Sequence, residues 1–213
     1  MEILSHRGYW KIQYEKNKII AFERSFDCGF GVETDIRDLN GILVISHDIP
    51  SLEDTQLLTV ESFFKLYKSF RKNLPLALNI KADGLQEKLL KLIKKYEVSN
   101  YFVFDMSIPE TIGYLNNGYK IFTRQSEYEP TPAFVDIIDG IWLDEFVTHW
   151  IKIDTIKNHI ENNRKVCIVS PELHQRNYLS EWENYKEISK IVTSDKIMLC
   201  TDLPEEAKKY FKV

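Results

Sequence analysis

The sequence predicts an α/β protein built as a (β/α)8 TIM barrel, compact and without a large insertion after the second strand. Three observations carry that expectation. Eight short, nearly continuous apolar runs recur along the chain, the pattern of strands buried on both faces. Amphipathic segments with helical spacing lie between most of them. At 213 residues the chain is long enough for one well-buried domain over 1–213, but short for eight βα units, so its loops must be lean. A doubly wound open sheet would use the same alternation. However, no Gly-x-Gly-x-x-Gly turn or phosphate-binding loop follows the first strand.

Taken in order, Ile3-Leu4 opens the first strand, residues 32–36 form the second, and residues 43–46 make an additional extended piece. Thr59 is placed to cap a helix that carries Val60, Phe63, Phe64 and Tyr67 on one side. The third strand is 76–80. After it Leu85, Leu89, Leu92, Ile93 and Tyr96 form an apolar stripe, and Lys88, Lys91, Lys94 and Lys95 solvate the opposite face. The fourth strand is 101–104; Ser107 and Glu110 then have capping-box spacing, with Gly118 where the helix should stop. The fifth strand is 119–122, and Thr131-Pro132 reads as the cap and first residue of a helix. Strands at 140–143, 165–169 and 196–200 follow, with helices at 151–163, 178–189 and 204–211. Asp202 and Glu205 have cap spacing around Pro204.

Composition excludes several functions. A net charge of −4 offers no basic field, so no nucleic-acid partner is expected. No apolar run approaches the roughly 20 residues needed to span a bilayer, and the first residues lack the pattern of a cleaved leader, so a cytoplasmic location is expected. Cys28, Cys167 and Cys200 are far apart, each beside apolar neighbours, without metal-ligand spacing. They read as buried free thiols in a reducing compartment.

The chemistry gathers in the first fifty residues. Glu33 and Asp35 are two apart on a strand and so face the same side, the interior near the C-terminal rim of a parallel barrel. Two such carboxylates repel unless a cation or proton lies between them; a hard divalent ion is the economical occupant, and pairing with Arg37 or a lysine is the simpler alternative. His6 follows the first strand and His47 the extended piece after the second, two imidazoles suited to proton transfer. Arg7 offers a planar fork for phosphate, and Gly8 lets the backbone turn tightly.

His6-Arg7-Gly8, Ala21-Phe22, Gly31-x-Glu33-x-Asp35, Gly41 and His47-Asp48 resemble the glycerophosphodiester phosphodiesterase family in order and spacing. The likeness is strong over 3–48 and continues as pattern through Leu78-Asn79-Ile80-Lys81 and Thr201-Asp202-Leu203-Pro204. The resemblance implies a (β/α)8 barrel that hydrolyses phosphodiesters. It implies a Mg or Ca ion on Glu33, Asp35 and the residue at 79, with His6 and His47 as acid-base pair. Arg7 would hold the phosphate, with Lys81 adding charge beside it. Three departures stand out: Asn79 replaces the third acidic ligand, Lys16-Asn17-Lys18 replaces Glu-Asn-Thr, and the covering insertion after His47 is short. They point to a weaker or differently selective metal site, and to an open site for a small-molecule or polymer-linked phosphodiester. Among later strand ends Arg124 and Glu172 are further substrate-binding candidates, ahead of Asp105, Glu127, Asp144, Glu145 and His174; Trp142 reads as core. Two other functions stay open: an impaired barrel that binds a phosphorylated ligand, and a lyase-type enzyme that stops at a cyclic phosphate.

Overall fold

Parallel strands alternating with helices are what the chain forms. The computed structural model describes residues 1–54 and 57–213. Contacts divide the chain into two compact units, 6–120 and the pair of segments 1–5 and 121–213. The first strand is β1 (Glu2–His6).

The unit 6–120 contains α1 (Ile19–Cys28), β2 (Gly31–Leu39), β3 (Ile42–Ile45), β4 (Leu58–Thr59), α2 (Val60–Ser69), β5 (Leu76–Ile80), α3 (Gln86–Lys95), β6 (Tyr101–Phe104) and α4 (Ile108–Asn116). Strand β2 pairs parallel with β5 and β5 with β6, whereas β3 returns antiparallel on β2 and carries β4 on its far side. The β2–β3 turn is Asn40-Gly41, with φ of +49° and +79°. That left-handed pair matches the twist of a two-residue hairpin. Helix α1 buries Ala21, Phe22, Ser25 and Phe26 and stops at left-handed Gly29. Phe22 meets Phe63 of α2 at 4.7 Å between ring centres. Burying each such ring stabilises the unit by about 1.5–3 kcal/mol. Thr59 caps α2 by accepting from Ser62 N at 3.1 Å, as the spacing predicts. The capping box on α4 is half formed: Ser107 Oγ accepts from Glu110 N, but the Glu110 carboxylate accepts from Gly84 N at 2.8 Å instead.

The other unit holds β1, β7 (Phe122–Gln125), β8 (Gly140–Leu143), α5 (Ile153–Glu161), β9 (Lys165–Val169), α6 (Leu179–Ser189), β10 (Ile197–Thr201) and α7 (Pro204–Phe211). Its strands run parallel in the order β1-β10-β9-β8-β7. Ile141, Val166, Ile168, Leu199 and Trp182 are fully buried, and Trp142 is buried as expected. Cys167 and Cys200 are buried free thiols, but Cys28 is only half-buried.

Two elements differ from expectation. No helix follows Thr131-Pro132; residues 133–137 form turns, with Phe134 left-handed at φ +57°, a conformation no helix can propagate. Strand β7 begins at Phe122, not Tyr119, because Tyr119 is used in packing: it stacks on Tyr114 and Tyr101 and donates its hydroxyl to Gln86 O.

Candidate active site

The site residues of the unit 6–120 converge on the end of β2, and backbone hydrogen bonds bring them there. Arg7 N donates to Glu33 O at 2.9 Å, Ser46 N to Asp35 O at 3.1 Å, and Lys81 N to Ile36 O at 2.9 Å. His6-Arg7, Ser46-His47 and Lys81 therefore meet at one strand end. Gly8 makes the first turn possible. Its φ is +83°, and a Cβ there would come within 2.8 Å of Ala21 Cβ.

Glu33 and Asp35 are both buried and face the same side, and the register places Asn79 opposite Asp35. Arg7 Nε lies 3.1 Å from Asp35 Oδ2, an ion pair without hydrogen-bond alignment. Lys81 Nζ lies 3.7 Å from Asp35 Oδ1 and 3.5 Å from Asp105 Oδ2. Asn79 donates its amide to Glu33. These contacts leave Asp35 Oδ1 and Asn79 Oδ1 buried without a hydrogen-bond partner. Burial first, then the charge of Asp35, push the Glu33 carboxyl up to about 8, against the opposing pull of Arg7 and Lys81. Two orphaned oxygens beside a carboxylate reluctant to ionise are the donor set that a hard cation satisfies, so Glu33, Asp35 and Asn79 fit a divalent ion.

His6 is partly buried, with Nε2 3.9 Å from Glu33 Oε2. His47 is more exposed, with Nδ1 2.8 Å from Asp48 Oδ1.

Two residues outside the expected site set, Asn17 and Arg37, hold this arrangement. Asn17, left-handed at φ +58°, donates its backbone N–H to Arg7 O and its amide to Asp35 Oδ2, both at 2.9 Å, and accepts from Thr34 Oγ1 at 2.8 Å. Arg37 directs its guanidinium to backbone carbonyls. It donates to His47 O at 3.0 Å and Lys81 O at 2.7 Å, strapping the His47 loop to the end of β5. The cation beside the carboxylates is thus Arg7 with Lys81.

Arg124 and Glu172 belong to the other unit. Arg124 pairs with Glu129 and lies over the Phe146 ring, 5.7 Å from its centre. Glu172 accepts from Ser170 Oγ, Thr201 Oγ1 and Asp202 N, tying the ends of β9 and β10 together; burial raises its pKa. Glu127 accepts the backbone N–H groups of residues 146–148, and Asp144 pairs with His174 Nε2 at 2.7 Å. Glu145, His149 and Glu181 offer ligand atoms within 4.8 Å of one another, but the Arg176 guanidinium already bridges both carboxylates, at 3.4 and 3.5 Å. Glu145 Oε1 also accepts from Trp150 N and Ile151 N, so this cluster is balanced by its own neighbours.

No protein-family profile and no curated protein sequence matches the chain. Solved structures do. A Galdieria sulphuraria protein assigned as a glycerophosphodiester phosphodiesterase aligns with a TM-score of 0.79 at 17% identity, covering all of this chain and 98% of that one. An Oleispira antarctica phosphodiesterase, solved with its product sn-glycerol-3-phosphate, gives 0.73 at 13%, covering 100% and 97%. The Agrobacterium tumefaciens glycerophosphodiester phosphodiesterase gives 0.69 at 13%, covering both chains fully. In fold, the chain's parallel strands and helices match the TIM-barrel architecture of glycerophosphodiester phosphodiesterases.

Proposed function

We propose that this chain, read as one domain over 1–213, is a metal-dependent phosphodiesterase of the glycerophosphodiester phosphodiesterase type. One observation carries the reading furthest. Asp35 Oδ1 and Asn79 Oδ1 are buried without hydrogen-bond partners, on the same sheet face as Glu33 and beside Arg7 and Lys81. The activities named for the three similar structures agree with it.

Glu33, Asp35 and Asn79 would hold a Mg or Ca ion, which when bound supplies positive charge to the phosphoryl oxygens. Arg7 and Lys81 grip the remaining phosphate oxygens, the guanidinium through its planar fork. An oxygen nucleophile bonds to phosphorus as the bond from phosphorus to the leaving alcohol's oxygen breaks. One of His6 and His47 takes the nucleophile's proton, and the other protonates the leaving oxygen. Asp48 on His47 Nδ1 fixes that ring and leaves Nε2 for the transfer. The nucleophile is water, or a substrate hydroxyl that gives a cyclic phosphate; phosphorus NMR of the product separates the two. The substrate is a small-molecule or polymer-linked phosphodiester, met in the cytoplasm. Among the described residues no helix is long and apolar enough to cross a membrane.

The Asn79 amide favours a second reading, because it donates to Glu33 where a third carboxylate would add charge. On that reading the pocket binds a phosphorylated ligand without turning it over. Hydrolysis of bis(p-nitrophenyl) phosphate with Mg or Ca decides between them. The enzyme reading expects His6→Ala and His47→Ala each to lose roughly 10²–10⁴-fold in rate. Equal rates in wild type and variants, here and on natural phosphodiesters, would leave only the binding protein.

A further inference from the structure

Beyond Arg7-Gly8, the chain builds an apolar groove that the chemistry above does not use. Ile12, Tyr14, Ile19, Ile20, Leu57 and Leu58 supply its apolar lining, around about 540 Å³. That volume lies within the range of ligand sites. Ile12 is 61% exposed, Tyr14 69%, and Ile19 and Ile20 close to half. So much large apolar surface within one short stretch marks a binding surface rather than scatter.

The groove's residues flank, along the chain, one that reaches the phosphate end of the site. Asn17, whose amide contacts Asp35 Oδ2, lies between Tyr14 and Ile19, and its backbone N–H is held by Arg7 O. Two steps of chain, each about 3.8 Å between Cα atoms, lead from that residue to the groove wall. The groove's carboxylate is already neutralised: Glu15 pairs with Arg24 at 2.9 Å and accepts from Lys11 N at 2.7 Å. Lys18 is the cation at its rim. An apolar trough with a basic edge, two to three residues of chain from a residue at the phosphate-binding end, suits a molecule with the opposite layout: an anionic phosphodiester joined to one hydrocarbon chain.

We propose that the groove takes the hydrocarbon chain of a single-chain phosphodiester while Arg7 and Lys81 hold its phosphate. The preferred substrates are then lyso-type or monoalkyl phosphodiesters, in place of fully water-soluble ones. The phosphate end rests on the phosphodiesterase reading; the groove end is tested without it.

Octyl-, decyl- and dodecylphosphocholine, each kept below its micelle-forming concentration, are titrated calorimetrically into wild type, the Ile12→Ser/Ile20→Ser double variant and Arg7→Ala. Both isoleucines are exposed, so the double variant keeps its fold and its rate on bis(p-nitrophenyl) phosphate. Wild-type affinity should rise roughly twofold to fourfold per methylene. The double variant should lose that rise, whereas Arg7→Ala should weaken every length by a similar factor and keep it. Affinity independent of chain length in wild type would overturn the proposal, as would an undiminished rise in the double variant. Flat monomer affinity together with sedimentation on phosphatidylcholine–phosphatidylglycerol vesicles would also overturn it, since the face would then dock a bilayer. A normal rise without turnover of any phosphodiester would support the groove and overturn only the enzyme reading.

Discussion

Glu33→Gln perturbs the site where its electrostatics are most exposed to measurement. In the metal-free protein, burial and the charge of Asp35 raise the Glu33 carboxyl from 4.5 to about 8. Below the unfolded value both states carry the proton and Glu33 costs nothing. Between the two values the unfolded chain has released it while the folded chain keeps it, so stability falls as pH rises, by up to about 1.4 kcal/mol per pH unit. From about pH 5.5 to about pH 7.5, wild type should lose roughly 2–3 kcal/mol that Glu33→Gln does not lose. For a chain of this size that is a differential Tm change of roughly 5–10 °C. Glutamine keeps the side-chain volume and can still accept from Asn79, so the comparison isolates charge. Urea unfolding in EDTA at the two pH values reads the effect. Mg or Ca should return stability to wild type at the higher pH and return less to Glu33→Gln. Parallel pH dependence in the two proteins would refute the reasoning.

Three further outcomes follow from particular contacts. Arg37→Ala removes both straps between the His47 loop and Lys81; kcat/KM on bis(p-nitrophenyl) phosphate should fall about tenfold while urea unfolding changes by no more than about 1 kcal/mol. Gly8→Ala puts a Cβ against Ala21 at a left-handed φ and should cost about 1–3 kcal/mol, read by thermal unfolding. Asn79→Asp adds a charge where the amide oxygen is orphaned and should tighten Mg or Ca binding about tenfold by calorimetry; unchanged affinity would remove residue 79 from the ligand set.

The strands and most helices were legible because burial imposes a period: Val60, Phe63, Phe64 and Tyr67 form a helical stripe that is buried as spaced. Helix α1 was not read from its pattern, since Ile19 and Ile20 add exposed apolar residues next to the buried Ala21, Phe22 and Phe26 and blur its two faces. The helix expected after Thr131-Pro132 rests on a local start signal, which left-handed Phe134 interrupts. Glu33, Asp35 and Asn79 were legible because strand alternation fixes the side they face. Asn17 and Arg37 were not: their roles come from hydrogen bonds between segments 10–44 residues apart. The Asn40-Gly41 hairpin and the β2–β5 register bring the His47 and Lys81 segments to Arg37.

Anomalous diffraction from crystals soaked in Mn²⁺ would locate a metal site at the end of β2, because a scattering ion reports its own position. A peak is expected within about 2.5 Å of carboxylate or amide oxygens from Glu33, Asp35 and Asn79. A peak at Glu145, His149 and Glu181 instead, or no peak at the end of β2, would contradict it.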